Sequence, residues 1–191
     1  MTEQEVLSVL EQRGAVLRGH FQLSSGRHSD LFAQKFRVLE HPDVAAQLGA
    51  EIAKRFEGRF DLVASPAVGA VVLGFAAALA ANTRFIFAER AEGSLEFRRG
   101  FHIDPAATVL VVEDVVTTGG SAKEVVDLVK ATGATVAGVG VLIDRMDSAR
   151  IDDLGAPLEA LVRLTASSWE KEACPLCNDG VPLTDPGSRR L

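Results

Sequence analysis

Residues 109–121 read VLVVEDVVTTGGS. Val109 to Val112 make an apolar run of the kind that fills a parallel strand buried on both faces. Glu113 and Asp114 follow. Then comes a small turn rich in hydroxyls and glycine, Thr117, Thr118, Gly119, Gly120 and Ser121, and a helical stretch, AKEVVDLVKATGA, starts directly after it. Backbone N–H groups in such a turn point inward together, and the following helix adds the positive end of its dipole. A phosphate fits there without a lysine. The turn lacks the G-x-x-x-x-G-K-[ST] spacing of a P-loop. Alone, it reads equally well as a strand-to-helix turn with Ser or Thr capping. The acidic pair shifts the balance. Carboxylates at the end of an apolar strand are costly to desolvate unless they bind something. Adjacent carboxylates suit the vicinal hydroxyls of a ribose and a positive charge developing on its anomeric carbon.

Outward from this stretch, strands and helices alternate. Val6, Leu7, Val9 and Leu10 predict a short amphipathic helix, and residues 18–29 a loop or hairpin. A helix is expected from Pro42, with Ala45, Leu48, Ile52 and Phe56 along one face. Residues 60–64 predict a strand ending at Ser65-Pro66, and Gly69 to Ala81 a helix packed on a sheet. Further strands are expected at 84–89, 135–143 and 158–164. Residues 90–107 are polar and read as a long mobile excursion. The pattern implies an α/β fold with a central, mostly parallel sheet flanked by helices. Ligands in such sheets sit beyond the C-terminal ends of the strands. Three polar clusters lie there: Ser65 to Gly69, Glu113 to Ser121, and Asp144-Arg145.

The chain has 191 residues, 47% hydrophobic and 24% charged, with a net charge of −6. That balance argues against a nucleic-acid surface. The longest apolar run, Ala70 to Ala81, is too short to cross a bilayer. The first residues carry acids and no basic n-region, so no signal peptide is expected. With two cysteines in all, the cytoplasm is the expected location.

The segment VLVVEDVVTTGGS resembles the phosphoribosyl-pyrophosphate (PRPP) motif of type I phosphoribosyltransferases. GHFQLSSGRHSDLF (19–32) resembles the N-terminal segment of the orotate phosphoribosyltransferases, and VLIDR (141–145) the place where that family sets an arginine over the pyrimidine. The resemblance spans most of residues 18–145. It implies a type I phosphoribosyltransferase fold with a small N-terminal hood over about residues 1–40 and a mobile loop. One domain would cover 1–168, and 169–191 a tail. The implied reaction joins orotate and PRPP to give orotidine 5′-monophosphate and pyrophosphate, in pyrimidine biosynthesis.

The resemblance further implies that PRPP is held by Glu113, Asp114, Val115, Val116, Thr117, Thr118, Gly119, Gly120 and Ser121. Ser65, Pro66, Ala67, Val68 and Gly69 would bind its pyrophosphate. Orotate would meet Thr117, Arg145, Ser25 and Gly26. A guanidinium also suits a carboxylated planar base on chemical grounds. Catalysis is expected to rest on Glu113, Asp114 and Arg90. Mg²⁺ would arrive on the pyrophosphate, and a homodimer is expected by resemblance.

The chain departs from that family's pattern in its cations. No lysine lies between Lys54 and Lys123, and Ser24 stands where many relatives carry lysine. Arg90, Arg98, Arg99 and His102 are the substitutes available to clamp pyrophosphate. Lys35 can reach the site or lie on the surface. Cys174 and Cys177 have metal-ligand spacing, but structural zinc takes four ligands and no second pair is obvious elsewhere. A zinc shared across a dimer, a reduced knuckle and an occasional disulfide stay open. Two other functions stay open as well. A purine or xanthine transferase of the same fold would place an aromatic side chain where Arg145 and Met146 stand. A non-enzymatic regulator of the same fold, binding nucleotide or RNA, would show a basic surface.

Overall fold

The computed structural model describes residues 1–23, 25–145 and 153–185. Six strands form the main sheet: β3 (Leu62–Pro66), β4 (Arg84–Ala91), β5 (Ser94–Phe97), β6 (Thr108–Val116), β7 (Thr135–Asp144) and β8 (Leu158–Arg163). Their order is β5-β4-β3-β6-β7-β8. All neighbours are parallel except the β4–β5 pair. The sheet is therefore the expected one, and β3, β6 and β7 bring the three polar clusters to one edge.

Residues along a strand face alternate sides. Val63, Leu110, Val112, Leu142 and Leu161 enter one core, and Leu62, Val109, Val111, Val139 and Val141 enter the other. Helices α3 (Pro42–Arg55) and α4 (Val71–Ala80) cover the first face, and α5 (Gly120–Ala131) covers the second. The predicted face of α3 is buried through Ala45, Leu48 and Ile52, with Phe56 at its C-cap, and Pro42 begins the helix. Helix α1 (Glu3–Gln12) opens with a capping box in which Thr2 and Glu5 satisfy each other's backbone N–H groups.

Two expectations change. The strand from residue 109 does not stop before the acids. It runs through Glu113 and Asp114 to Val116, because β7 continues to pair with it up to Asp144. The 90–107 stretch is not one excursion. Strand β4 continues to Ala91, turns at Glu92-Gly93 and returns as β5. Both turn residues have positive φ, as a two-residue hairpin requires. The following loop packs Ile103 into the core.

The N-terminal hairpin, β1 (Val16–Gln22) and β2 (His28–Ala33), forms a second sheet with β9 (Ser168–Trp169) in the order β1-β2-β9. The short helix α2 (Phe36–Leu39) links it to α3. The tail then lies along the hairpin. It passes through α6 (Pro175–Asn178), and Thr184 pairs with Phe21. Thr184 N–H donates to the His20 carbonyl, and Gln22 N–H donates to the Thr184 carbonyl. None of the described helices is long and apolar enough to cross a membrane.

Candidate active site

The turn after β6 is held open by its smallest residues. Gly119 has a φ of 80°, in the left-handed region where glycine is at ease, and it caps the N-terminus of α5. Thr117, Thr118, Gly120 and Ser121 are exposed around it. Together with Glu113, Val115 and Val116 they line a single concavity. Its donors are hydroxyls, amides and a helix terminus, which suits a phosphate. A larger hollow near Lys54, Glu57 and Phe60 lies by the C-terminal ends of α3 and α4, away from these clusters.

Glu113 and Asp114 are both buried. Glu113 Oε1 accepts the Asp114 N–H at 3.0 Å, and Asp114 Oδ1 accepts the Val115 N–H at 2.6 Å. Burial, reinforced by the Asp114 charge, pushes the Glu113 carboxyl up to about 8. At neutral pH Glu113 is thus mostly protonated. It can donate a hydrogen bond to a ribose hydroxyl while Asp114 accepts one.

Lys35, just before α2, brings its Nζ to 2.6 Å from Asp114 Oδ2. The contact is a charge pair without hydrogen-bond alignment, since Oδ2 has no hydrogen-bond partner. Both groups crowd Gly69. A Cβ there would stand 2.0 Å from Asp114 Oδ2 and 2.6 Å from Lys35 Nζ. Gly69 therefore lets the Ser65–Gly69 turn close onto the acids. Ala67 N–H donates to the Ala88 carbonyl at 2.7 Å, and the Ser65 hydroxyl is buried without a partner. This turn has no cation of its own, but Lys35 sets an ammonium against it. The sequence left Lys35 open because nothing local says that the chain after the hairpin folds back to β6.

Arg145 directly follows β7, and its N–H donates to the Val116 carbonyl at 2.8 Å, one residue before the Thr117–Ser121 turn. Its Nε is buried with no hydrogen-bond partner. Burial lowers its pKa from the usual arginine value, and the Asp30 charge on β2 opposes that shift. Asp30 in turn accepts the Ser167 N–H at 2.9 Å. The N-terminal hairpin, the part expected to form the hood, therefore faces Arg145. Ser25 and Gly26 lie in its turn, where Gly26 N–H donates to the Leu23 carbonyl. Ser24 and Met146 lie outside the described residues.

The loop arginines are engaged elsewhere. Arg90 forms a forked pair with Glu124 of α5, at 3.0 and 3.4 Å. Arg99 grips Glu89 through two bonds of 2.7 and 2.8 Å. Arg98 and His102 are exposed.

A missed cluster lies at the other end of the hood. His20 and His28 meet Cys174 and Cys177, so a second pair of metal-ligand type does exist. The sequence hid it because the two pairs are 154 residues apart at the His20–Cys174 contact.

The family model for the phosphoribosyl transferase domain matches residues 37–156. The orotate phosphoribosyltransferase of Caldanaerobacter subterraneus subsp. tengcongensis is 45% identical over 192 residues, covering 100% of both chains. This chain belongs to the orotate phosphoribosyltransferase family. A second member, from Pelotomaculum thermopropionicum, is 46% identical with 100% of both chains covered. Among solved structures, the orotate phosphoribosyltransferase of Aeropyrum pernix superposes with a TM-score of 0.70 at 28% identity, covering 83% of this chain and 93% of that one. The type I phosphoribosyltransferase fold is thus the fold of this chain.

Proposed function

We infer that this family member transfers the phosphoribosyl group of PRPP to orotate, releasing pyrophosphate and forming orotidine 5′-monophosphate. The observation that carries the choice of base is Arg145: a half-buried guanidinium with a free Nε, tied through its backbone to the start of the phosphate turn. A planar base bearing a carboxylate supplies the acceptor that this donor lacks.

In this reading Thr117 to Ser121 bind the 5′-phosphate, and Glu113 and Asp114 bind the ribose hydroxyls. Ser65 to Gly69, with Lys35, receive the pyrophosphate. Thr117, Arg145, Ser25 and Gly26 frame orotate. The deprotonated ring nitrogen of orotate attacks the anomeric carbon as the bond to the pyrophosphate oxygen breaks, and pyrophosphate leaves with the electron pair. The protein positions the two substrates, and Asp114 faces the developing cation. Arg90 turns to pyrophosphate by leaving Glu124. That exposed pair is worth roughly 0–1 kcal/mol, which a multiply charged ligand offsets readily.

Magnesium fits the donor set as an ion carried by the substrate. It keeps phosphate and water ligands and takes one or two carboxylates, and the Asp114 carboxylate is the group that would hold it. When bound, it neutralises the charge of the pyrophosphate.

The chain works as a homodimer in the cytoplasm. Val68, Val72, Phe75 and Leu79 form an exposed apolar stripe on and before α4, with Phe36 nearby; Phe75 is 57% and Leu79 67% exposed. Phe75→Asp should yield a monomer by light scattering, and an unchanged mass would rule this face out. Two free thiols suit a reducing compartment, which cell fractionation checks.

The base is tested by incubating the protein with Mg²⁺, PRPP and, in turn, orotate, uracil, hypoxanthine and adenine. Orotate absorbance should fall. Consumption of a purine with orotate untouched would overturn the reading.

A further inference from the structure

His20 lies near the end of β1, His28 opens β2, Cys174 caps the start of α6 and Cys177 lies within it. The ligand-type atoms of all four lie within 4.8 Å of one another. His20 Nε2 is 2.9 Å from His28 Nδ1, 3.4 Å from Cys174 Sγ and 3.7 Å from Cys177 Sγ, and Cys177 Sγ is 3.3 Å from His28 Nδ1. With Zn–N near 2.0–2.1 Å and Zn–S near 2.3 Å, a tetrahedral ion sets these edges at about 3.4 Å for N···N and about 3.6 Å for N···S. The N···S edges of 3.3–3.7 Å bracket their value, and the N···N edge of 2.9 Å is shorter than its own and would open as an ion enters.

The orientation of the rings points the same way. His20 Nδ1 lies 2.8 Å from the Val181 carbonyl. A carbonyl only accepts, so Nδ1 carries the proton and Nε2 presents its lone pair to the cluster. That outer hydrogen bond is the usual way a protein fixes a ligating histidine. Without a cation, lone pairs of two imidazoles and two sulfurs converge on one point. A proton between the rings and the two thiol protons can each bridge one pair, whereas one ion satisfies all four ligand atoms at once. The sulfurs are within reach of the imidazole nitrogens, and both cysteines are free thiols.

We propose that His20, His28, Cys174 and Cys177 bind one zinc ion in a closed, structural Cys₂His₂ site that clasps the C-terminal tail to the hood. Mixed thiolate and imidazole ligands in tetrahedral array favour zinc. Binding releases two thiol protons to solvent, and two thiolates with Zn²⁺ leave no net charge, which suits a cluster whose His20, His28 and Cys174 are buried. Four protein ligands leave no open position for substrate, so the ion does not take part in the transfer reaction. Its effect is mechanical. His20 and His28 straddle the turn that holds Ser25 and Gly26, so the ion pins both ends of that turn. This last link rests on the orotate reading given above, whereas the metal site does not.

The test starts from the full-length protein, with any affinity tag removed, purified without chelator. Elemental analysis for zinc, iron and copper should find about one zinc per chain. In the wild-type protein both thiols should be silent to a disulfide reagent until a chelator is added. Cobalt reconstitution should then give tetrahedral ligand-field bands with thiolate charge transfer, bleached by zinc. Cys177→Ser and His28→Ala should each lose the zinc. Wild-type protein with freely reacting thiols and no cobalt spectrum would overturn the site, as would a soluble variant that keeps its zinc. Metal removal should raise the KM for orotate about tenfold while the KM for PRPP holds. Stoichiometric zinc whose loss leaves both constants unchanged upholds the site and refutes its link to the orotate turn. Orotate turnover failing in zinc-loaded protein refutes the function alone.

Discussion

The phosphate turn and the hood–tail cluster solve opposite problems. The turn is one contiguous run, and its donors are mostly backbone amides and hydroxyls open to solvent. The cluster draws side chains from both ends of the chain into a mostly buried knot. A site made by local backbone geometry shows itself as a motif. A site made by tertiary docking has no such signature, because the residues become neighbours only when β2, β9 and the tail pack together.

The contrast can be tested from the turn side first. In the proposed arrangement Asp114→Asn removes the charge that faces the anomeric carbon, and kcat should fall by about 10²–10³. A fall under tenfold would mean that the backbone turn carries the catalysis alone. Next is Arg145→Ala, which removes the group that faces the hood from the parallel sheet. The KM for orotate should rise by about 10–100-fold, since a charged hydrogen bond is worth roughly 1.5–3 kcal/mol, and the KM for PRPP should hold. Equal losses for both substrates would place Arg145 on the ribose phosphate instead.

Lys35→Met should raise the KM for PRPP by about tenfold, a loss near 1.4 kcal/mol. No change would show that the loop arginines meet the whole pyrophosphate charge. The smallest effect is on stability. Glu113 holds its proton more tightly when folded, with a value near 8 against an ordinary 4.5. Its contribution is therefore full below pH 4.5 and is lost as the pH rises toward 8. Glu113→Gln does not titrate. Its Tm should exceed that of the wild type above pH 8, by about 2–4 °C per kcal/mol, and the gap should close on acidification. A pH-independent gap would show that folding leaves the Glu113 carboxyl unshifted.

The legibility of the chain follows the same divide. Period and punctuation revealed the β3, β6 and β7 strands and the α3 to α5 helices, because each is a local pattern with a local end. They also placed Ser65, Glu113, Thr117 and Arg145 on one sheet edge, since a parallel sheet leaves little freedom there. The β4–β5 hairpin was missed because Glu92-Gly93 is a weak turn signal inside a polar stretch. Lys35 was left open because its role depends on where α2 sits against Gly69. The second ligand pair, His20 and His28, was missed because two histidines flanking a polar turn look like hairpin surface until the tail covers them.

The order of synthesis gives the hood a further property. The hairpin at residues 16–33 leaves the ribosome before the main sheet. Its third strand and the segment that pairs with Phe21 leave after it. The parallel sheet, by contrast, has all its strands once residue 163 is made. A nascent chain can therefore own a finished Thr117–Ser121 turn while the three-stranded hairpin sheet is still unassembled. In the proposed reading, a chain cut before residue 168 would hold PRPP without spending it on a nucleobase.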